Sequence, residues 1–138
     1  MIRAGFLALI CCAAAPVAAQ SFNGIWEGRL RCDAVAGMTQ TPLDVAFTIR
    51  VEAGLAKYER PVLSATAART GAWERGEGRV AADGTLMMQG GSSGRGFGYR
   101  ARYEGRLGAD GIGHFTGAQD WILSDREFTR ACTVEVRK

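Results

Sequence analysis

The chain has 138 residues, enough for one domain and no more, and sets 17 basic residues against 14 acidic ones. A net charge of +3 is too small to argue for nucleic acid or an anionic membrane as partner. Nineteen glycines against three prolines suit many tight turns rather than a disordered chain.

Residues 1–19, MIRAGFLALICCAAAPVAA, carry one arginine, an apolar run from Gly5 to Ala15 and a small-residue site at Val17-Ala18-Ala19. This is the pattern of a secretory signal peptide, and the apolar run is too short to span a bilayer. An uncleaved anchor is the rival reading. Cys11 and Cys12 follow Ala8-Leu9-Ile10, which lacks the small residue that lipoprotein processing needs, so both are read as discarded with the signal. The expected organisation is a signal at 1–19 and a single β-barrel domain at 20–138, periplasmic or secreted, with no membrane insertion after signal removal.

Phe22–Cys32, FNGIWEGRLRC, alternates: Trp26, Gly28, Leu30 and Cys32 share one face, and Glu27, Arg29 and Arg31 the other. Asp33–Pro42 reads as a loop. Leu43–Glu52 is the cleanest alternation in the chain and reads as a half-buried strand. Ala53-Gly54 turns the chain into a third strand, Leu55–Arg60, centred on Tyr58. A long loop, Pro61–Gly71, leads to strand four at Ala72–Ala81, and the Asp-Gly of Ala82–Gly84 marks a hairpin turn into strand five, Thr85–Gln89. Gly90–Gly96, GGSSGRG, reads as a flexible loop. Phe97–Leu107 is strand six, Ile112–Ala118 strand seven and Arg126–Lys138 strand eight, with Gln119–Asp125 as the loop between the last two. Glu-Gly-Arg followed by an apolar residue recurs at Glu27, Glu77 and Glu104, and twice leads to Ala-Asp-Gly. The irregular spacing excludes a solenoid or propeller.

Once the signal is removed, Cys32 and Cys132 are the remaining cysteines, and in an oxidising compartment such a pair normally forms one disulfide. The closed loop of about 100 residues would contribute about 4–5 kcal/mol in the chain-entropy account. The pairing brings the first and last strands together. The expected fold is therefore all-β: an eight-stranded antiparallel up-and-down meander, as a closed calycin-like barrel or a two-sheet sandwich, with one disulfide.

Connections after strands two, four and six read as short, and those after one, three, five and seven as long. That places the long loops at one end, where function on a rigid scaffold tends to sit. Candidate ligand-binding residues at that mouth are Met38, Trp121, Ile122 and Leu123, with Trp73 just below it. Two readings stay open: Trp121-Ile122-Leu123 folds in and plugs the barrel, or it forms a ligand or partner surface.

The chemical inventory is thin. His114 is the single histidine, and no nucleophile–base set can be assembled around it. Pairing the cysteines leaves no zinc ligand set, and no metal, cofactor or catalytic residue is assigned. Glu27, Glu77 and Glu104 each stand two residues before an arginine in the outward phase, which suits cross-strand ion pairs on a solvated face. The same applies to the Arg100, Arg102 and Arg106 stripe.

Phe22-Asn23-Gly24-x-Trp26, the Cys soon after, the Asp-Gly hairpin and the closing Arg130-Ala131-Cys132 together resemble a group of small exported bacterial β-rich proteins. That resemblance implies export, a disulfide and a β-meander, and carries no catalytic residue. Gly24-Ile25-Trp26 also resembles the Gly-x-Trp of calycin barrels, the lipocalin and avidin type, which pack a last-strand arginine over that tryptophan. Here a Cys32–Cys132 register would set Trp26 opposite Lys138 and away from Arg130, so this resemblance implies architecture more than ancestry. Arg102-Tyr103 is a faint likeness to periplasmic lysozyme inhibitors. The expectation is an exported non-enzymatic barrel that binds a small apolar ligand or an envelope protein at its long-loop end. The alternative is an envelope-interaction or inhibitor protein acting through its loops.

Overall fold

The computed structural model describes residues 21–35, 41–64 and 68–138. The signal expected at 1–19, with Cys11 and Cys12, and the candidate Met38 lie outside the described residues. Eight strands follow in order: β1 (Gly24–Cys32), β2 (Leu43–Glu52), β3 (Leu55–Leu63), β4 (Arg69–Val80), β5 (Thr85–Gly94), β6 (Phe97–Leu107), β7 (Ile112–Leu123) and β8 (Arg126–Arg137). Each pairs antiparallel with the next, and β8 pairs back onto β1, closing a barrel. The sandwich alternative is thereby set aside. Cys32 and Cys132 face each other in the β1–β8 register and form the disulfide.

Side-chain alternation builds the interior. Trp26, Leu30 and Cys32 of β1, Phe47, Ile49 and Val51 of β2, and Tyr99, Ala101, Tyr103 and Leu107 of β6 are all buried. At the end closed by the turns after β2, β4 and β6, this packing is apolar. Phe22 lies beneath it, its carbonyl accepting the Trp26 indole N–H at 3.0 Å. Lys138 Nζ stands 5.9 Å from the Trp26 ring centre. The recurring Glu-Gly-Arg unit has a packing reason: Gly28, Gly78 and Gly105 face inward where a neighbouring strand crosses closely. A Cβ at these positions would overlap the carbonyls of Glu135, Met87 and His114 respectively.

Four boundaries differ from the sequence expectation by three residues or more. β3 continues to Leu63, β4 begins at Arg69, β5 runs on through the glycine-serine segment to Gly94, and β7 continues to Leu123. Tight turns make this possible: Gly96 (φ 77°) and Ser124 (φ 56°) sit in two-residue connections between Gly94 and Phe97 and between Leu123 and Arg126. Two of the four connections expected to be long at that end, those after β5 and β7, are therefore tight turns, and Trp121-Ile122-Leu123 is strand rather than loop.

The ladder is uneven toward that end. β2 and β3 pair only from Ile49 to Glu52 against Tyr58 to Leu55. β4 and β5 pair only from Arg75 to Val80 against Gly91 to Leu86. The distal halves of β3 and β4 still pair with each other, with a register shift between Pro61 and Leu63. Among the described residues, Glu59–Leu63 and Arg69–Glu74 thus form a two-stranded flap joined laterally to neither β2 nor β5.

Candidate functional site

Under the flap, the apolar interior gives way to a buried polar cluster. Five strands supply it, each residue placed by the inward phase of its own strand: Tyr58 and Arg60 from β3, Glu74 from β4, Tyr99 and Tyr103 from β6, Gln119 and Trp121 from β7, and Arg130 from β8. Gly76 and Gly90 make the room, since a Cβ at either would collide with the Tyr58 ring or its hydroxyl.

Glu74 is the hub and is fully buried (0% exposed). Its Oε1 accepts from the hydroxyls of Tyr58 (3.0 Å) and Tyr103 (2.8 Å). Its Oε2 accepts from Tyr99 (2.6 Å) and Gln119 Nε2 (3.3 Å), and pairs with Arg60 Nη2 at 2.5 Å. A carboxylate so supplied with donors and a counter-charge is satisfied despite its burial. Burial first, and the Glu74 charge second, push the hydroxyls of Tyr58, Tyr99 and Tyr103 far above their ordinary value of 10.0, so each keeps its proton and donates it to Glu74. The Tyr103 oxygen also accepts from Gln119 Nε2 at 2.9 Å, and that of Tyr99 from Arg60 Nη2 at 3.5 Å.

Arg60 is 2% exposed. Burial works against its charge, but the adjacent Glu74 more than offsets that, and the net direction is upward. Its Nη1 donates to the carbonyl of Pro61 at 3.2 Å, while its buried Nε finds no acceptor among the described residues. Arg130, 6% exposed, sits beside it. Arg130 Nε donates to Gln119 Oε1 at 2.8 Å, and its guanidinium carbon lies 5.3 Å from the centre of the Trp121 ring. That ring stacks on Tyr99 at 4.0 Å. Burial and the Arg60 charge both pull Arg130 below its ordinary range. Among the described residues no carboxylate forms an ion pair with Arg130, since Glu74 pairs with Arg60 instead.

A cavity of about 380 Å³ opens above this cluster, with Arg60 and Arg130 among its lining residues. Its walls include Leu43 and Val45 of β2, Val62 and Leu63 of the flap, Phe97, Trp121 and Leu123. It lies where β2 and β3 part, so the missing ladder and the cavity are one feature. Asp44 also borders it, but its carboxylate is held on the outer face by Arg29 Nε at 2.8 Å and Arg31 Nε at 3.4 Å.

The structure brings Trp121 and Leu123 to this cavity. It sends two other candidates elsewhere. Trp73 (42% exposed) and Ile122 (56% exposed) occupy the outward phase of their strands, because Glu74 and Trp121 take the inward one. Trp73 instead borders a groove on the outer surface with Lys57, Glu59 and Arg75. Trp121 caps the polar cluster and lines the cavity, so it packs inward without filling the mouth.

Sequence reasoning passed over Glu74, Arg60 and Gln119. The signal for Glu74 was present: Ala72, Glu74, Gly76, Gly78 and Val80 share a phase, and a carboxylate among small inward residues marks a buried ion. Arg60 likewise shares the phase of Ala56, Tyr58 and Val62. His114, by contrast, is exposed on the outer face of β7, remote in phase from this cluster. No group of three metal-ligating side chains occurs among the described residues. No protein-family model, curated protein or solved structure matches the chain.

Proposed function

We propose that this chain is an exported, non-enzymatic binding barrel that takes a small apolar ligand into the cavity beneath the β3–β4 flap. The observation that carries the reading is the cavity itself: about 380 Å³, walled by aliphatic and aromatic side chains above a few fixed polar groups. Ligand sites commonly have that composition and a volume of about 300–1,000 Å³. Export rests on the signal pattern of residues 1–19, and the Cys32–Cys132 disulfide is compatible with an oxidising compartment. The Glu74 carboxylate is sealed beneath the cluster with its acceptor sites taken, which argues for a structural hub over an acid or base that meets substrate.

The test is a titration of the oxidised protein with an uncharged, environment-sensitive dye, read by dye emission and by quenching of tryptophan. Saturable binding is expected, with loss of most of the response in Leu43→Trp, which fills the half-buried mouth without touching the polar cluster. Absence of saturable binding, or equal binding by Leu43→Trp, would reject the cavity as a ligand site. Protein partners of the outer surface would then become the working hypothesis.

A further inference from the structure

Resting on the reading of this cavity as a ligand site, we propose that its ligand is a single-chain organic acid, with the carboxylate seated against Arg130 and Arg60 and the apolar chain directed toward the mouth.

The charges at the cavity floor do not balance. Among the described residues the buried ionic side chains are Arg60, Glu74 and Arg130. Glu74 is committed to Arg60 and to the tyrosine hydroxyls, so one positive charge is left over. The nearest other carboxylate at the cavity, that of Asp44, is turned outward onto Arg29 and Arg31. A buried, unpaired guanidinium is costly, and proteins normally pair such a group or open it to an anion.

Donor inventory points the same way. Arg130 uses Nε on Gln119, and no hydrogen bond within the described residues engages its Nη1 or Nη2. Those two nitrogens form a planar fork whose spacing matches the two oxygens of a carboxylate. Arg60 Nε, buried at the same cavity, is a further donor without an acceptor. Gln119 and Trp121 hold the Arg130 guanidinium in place from one side, by hydrogen bond and by ring face, leaving its fork unengaged. A neutral apolar ligand would cover these groups and leave them unpaired. An ammonium ligand would meet two like charges. An anion supplies what the floor lacks.

The depth profile sets the orientation. Arg60 and Arg130 are buried, whereas Leu43, Leu63 and Leu123 are only partly so. The head group therefore belongs at the floor and the chain along the Leu43, Val45, Val62 and Leu123 wall. A cavity of about 380 Å³ suits one short chain rather than a two-chain lipid.

The experiment is calorimetric titration of the wild-type protein at neutral pH with decanoate, decanol and decyltrimethylammonium, each below its micellar concentration. Because the three probes share one chain, the comparison needs no variant to fold. Decanoate is expected to bind roughly tenfold to a hundredfold more tightly than decanol, the scale of charge-assisted hydrogen bonds in a buried site, with the ammonium weakest. Arg130→Gln, which keeps a side-chain amide near Gln119, is expected to bring decanoate and decanol to within about threefold of each other. Equal binding of decanoate and decanol by the wild type would overturn the acid preference and leave the apolar cavity standing. Persistence of the preference in Arg130→Gln would overturn the assigned head-group site. Failure of all three probes to bind would overturn both the preference and the cavity reading.

Discussion

At the scale of single residues, the barrel interior is governed by one carboxylate. Glu74 and Arg60 form a fully desolvated pair at 2.5 Å, and removing one partner of such a pair costs far more than the pair itself contributes, because the other charge stays buried. Glu74→Gln is therefore expected to lower stability by about 3–5 kcal/mol in urea denaturation. The double variant Glu74→Gln/Arg60→Met removes the stranded charge as well and is expected to be more stable than Glu74→Gln alone. Strict additivity of the two substitutions would show that the pair is not the coupled unit. The tyrosines give a second test, since Tyr58, Tyr99 and Tyr103 are all the tyrosine the chain has, and each donates to Glu74. Folded, each keeps its proton well past the ordinary value of 10.0. Above that pH the unfolded chain holds fewer protons than the folded one, so stability is complete below pH 10 and falls as pH rises. The loss approaches about 1.4 kcal/mol per pH unit for each tyrosine. Tyrosinate absorbance is expected to appear only with loss of near-ultraviolet circular dichroism, in one cooperative transition. A graded tyrosinate signal near pH 10 in a chain that keeps its dichroism would contradict the cluster.

At the scale of elements, the flap explains where the cavity comes from. Glu59–Leu63 and Arg69–Glu74 are held by each other and by the side chains beneath them, whereas β6 and β7 pair along nearly their whole length. Segments with fewer lateral hydrogen bonds open at lower free energy than the rest of a fold. In hydrogen-exchange mass spectrometry the flap amides are expected to exchange well before those of β6 and β7, and to slow when an apolar ligand is bound. Flap protection equal to that of β6 would mean that the cavity is a rigid slot. The same unevenness shows what the sequence could convey. Leu43–Glu52 and Phe97–Leu107 declare themselves because strict alternation and β-branched or aromatic residues coincide. Gly90–Gly94 does not, because glycine and serine have little strand preference of their own. They extend here because β6 pairs with them along that whole stretch and β4 as far as Gly91. Trp121-Ile122-Leu123 is uniformly apolar, and without the Ser124-Asp125 turn recognised it carries no phase. Once it is placed on β7, its middle residue must face out, which is why Ile122 leaves the cavity and Trp121 and Leu123 enter it. The cluster was harder still to see, because Arg60, Glu74, Gln119 and Arg130 come from four strands and only the barrel register makes them neighbours.

At the scale of the whole molecule, closure depends on the β1–β8 seam. That seam is short, running from Glu27 opposite Arg137 to Cys32 opposite Cys132, and the disulfide pins it at the end nearest the cavity. Because the two cysteines lie 100 residues apart, the bond restrains nearly the whole described chain when it unfolds. The chain-entropy account assigns such a loop about 4–5 kcal/mol. Set against a typical domain stability of about 5–15 kcal/mol, that is the difference between a secure barrel and a marginal one. The paired substitution Cys32→Ser/Cys132→Ser is therefore expected to leave a chain that still folds, since the strand pairing of the seam survives. Its urea midpoint is expected to fall by the equivalent of about 4–5 kcal/mol. The denaturant slope decides how the bond acts. If it works by keeping the unfolded chain compact, its removal lets that chain expand and expose more surface, and the slope rises. An unchanged slope with the same loss would place the effect in the folded seam instead. Arg130 lies two residues before Cys132 on β8, so in that case the cavity floor should loosen with the seam. A variant with full stability would show that hydrogen bonding between β1 and β8 closes the barrel unaided.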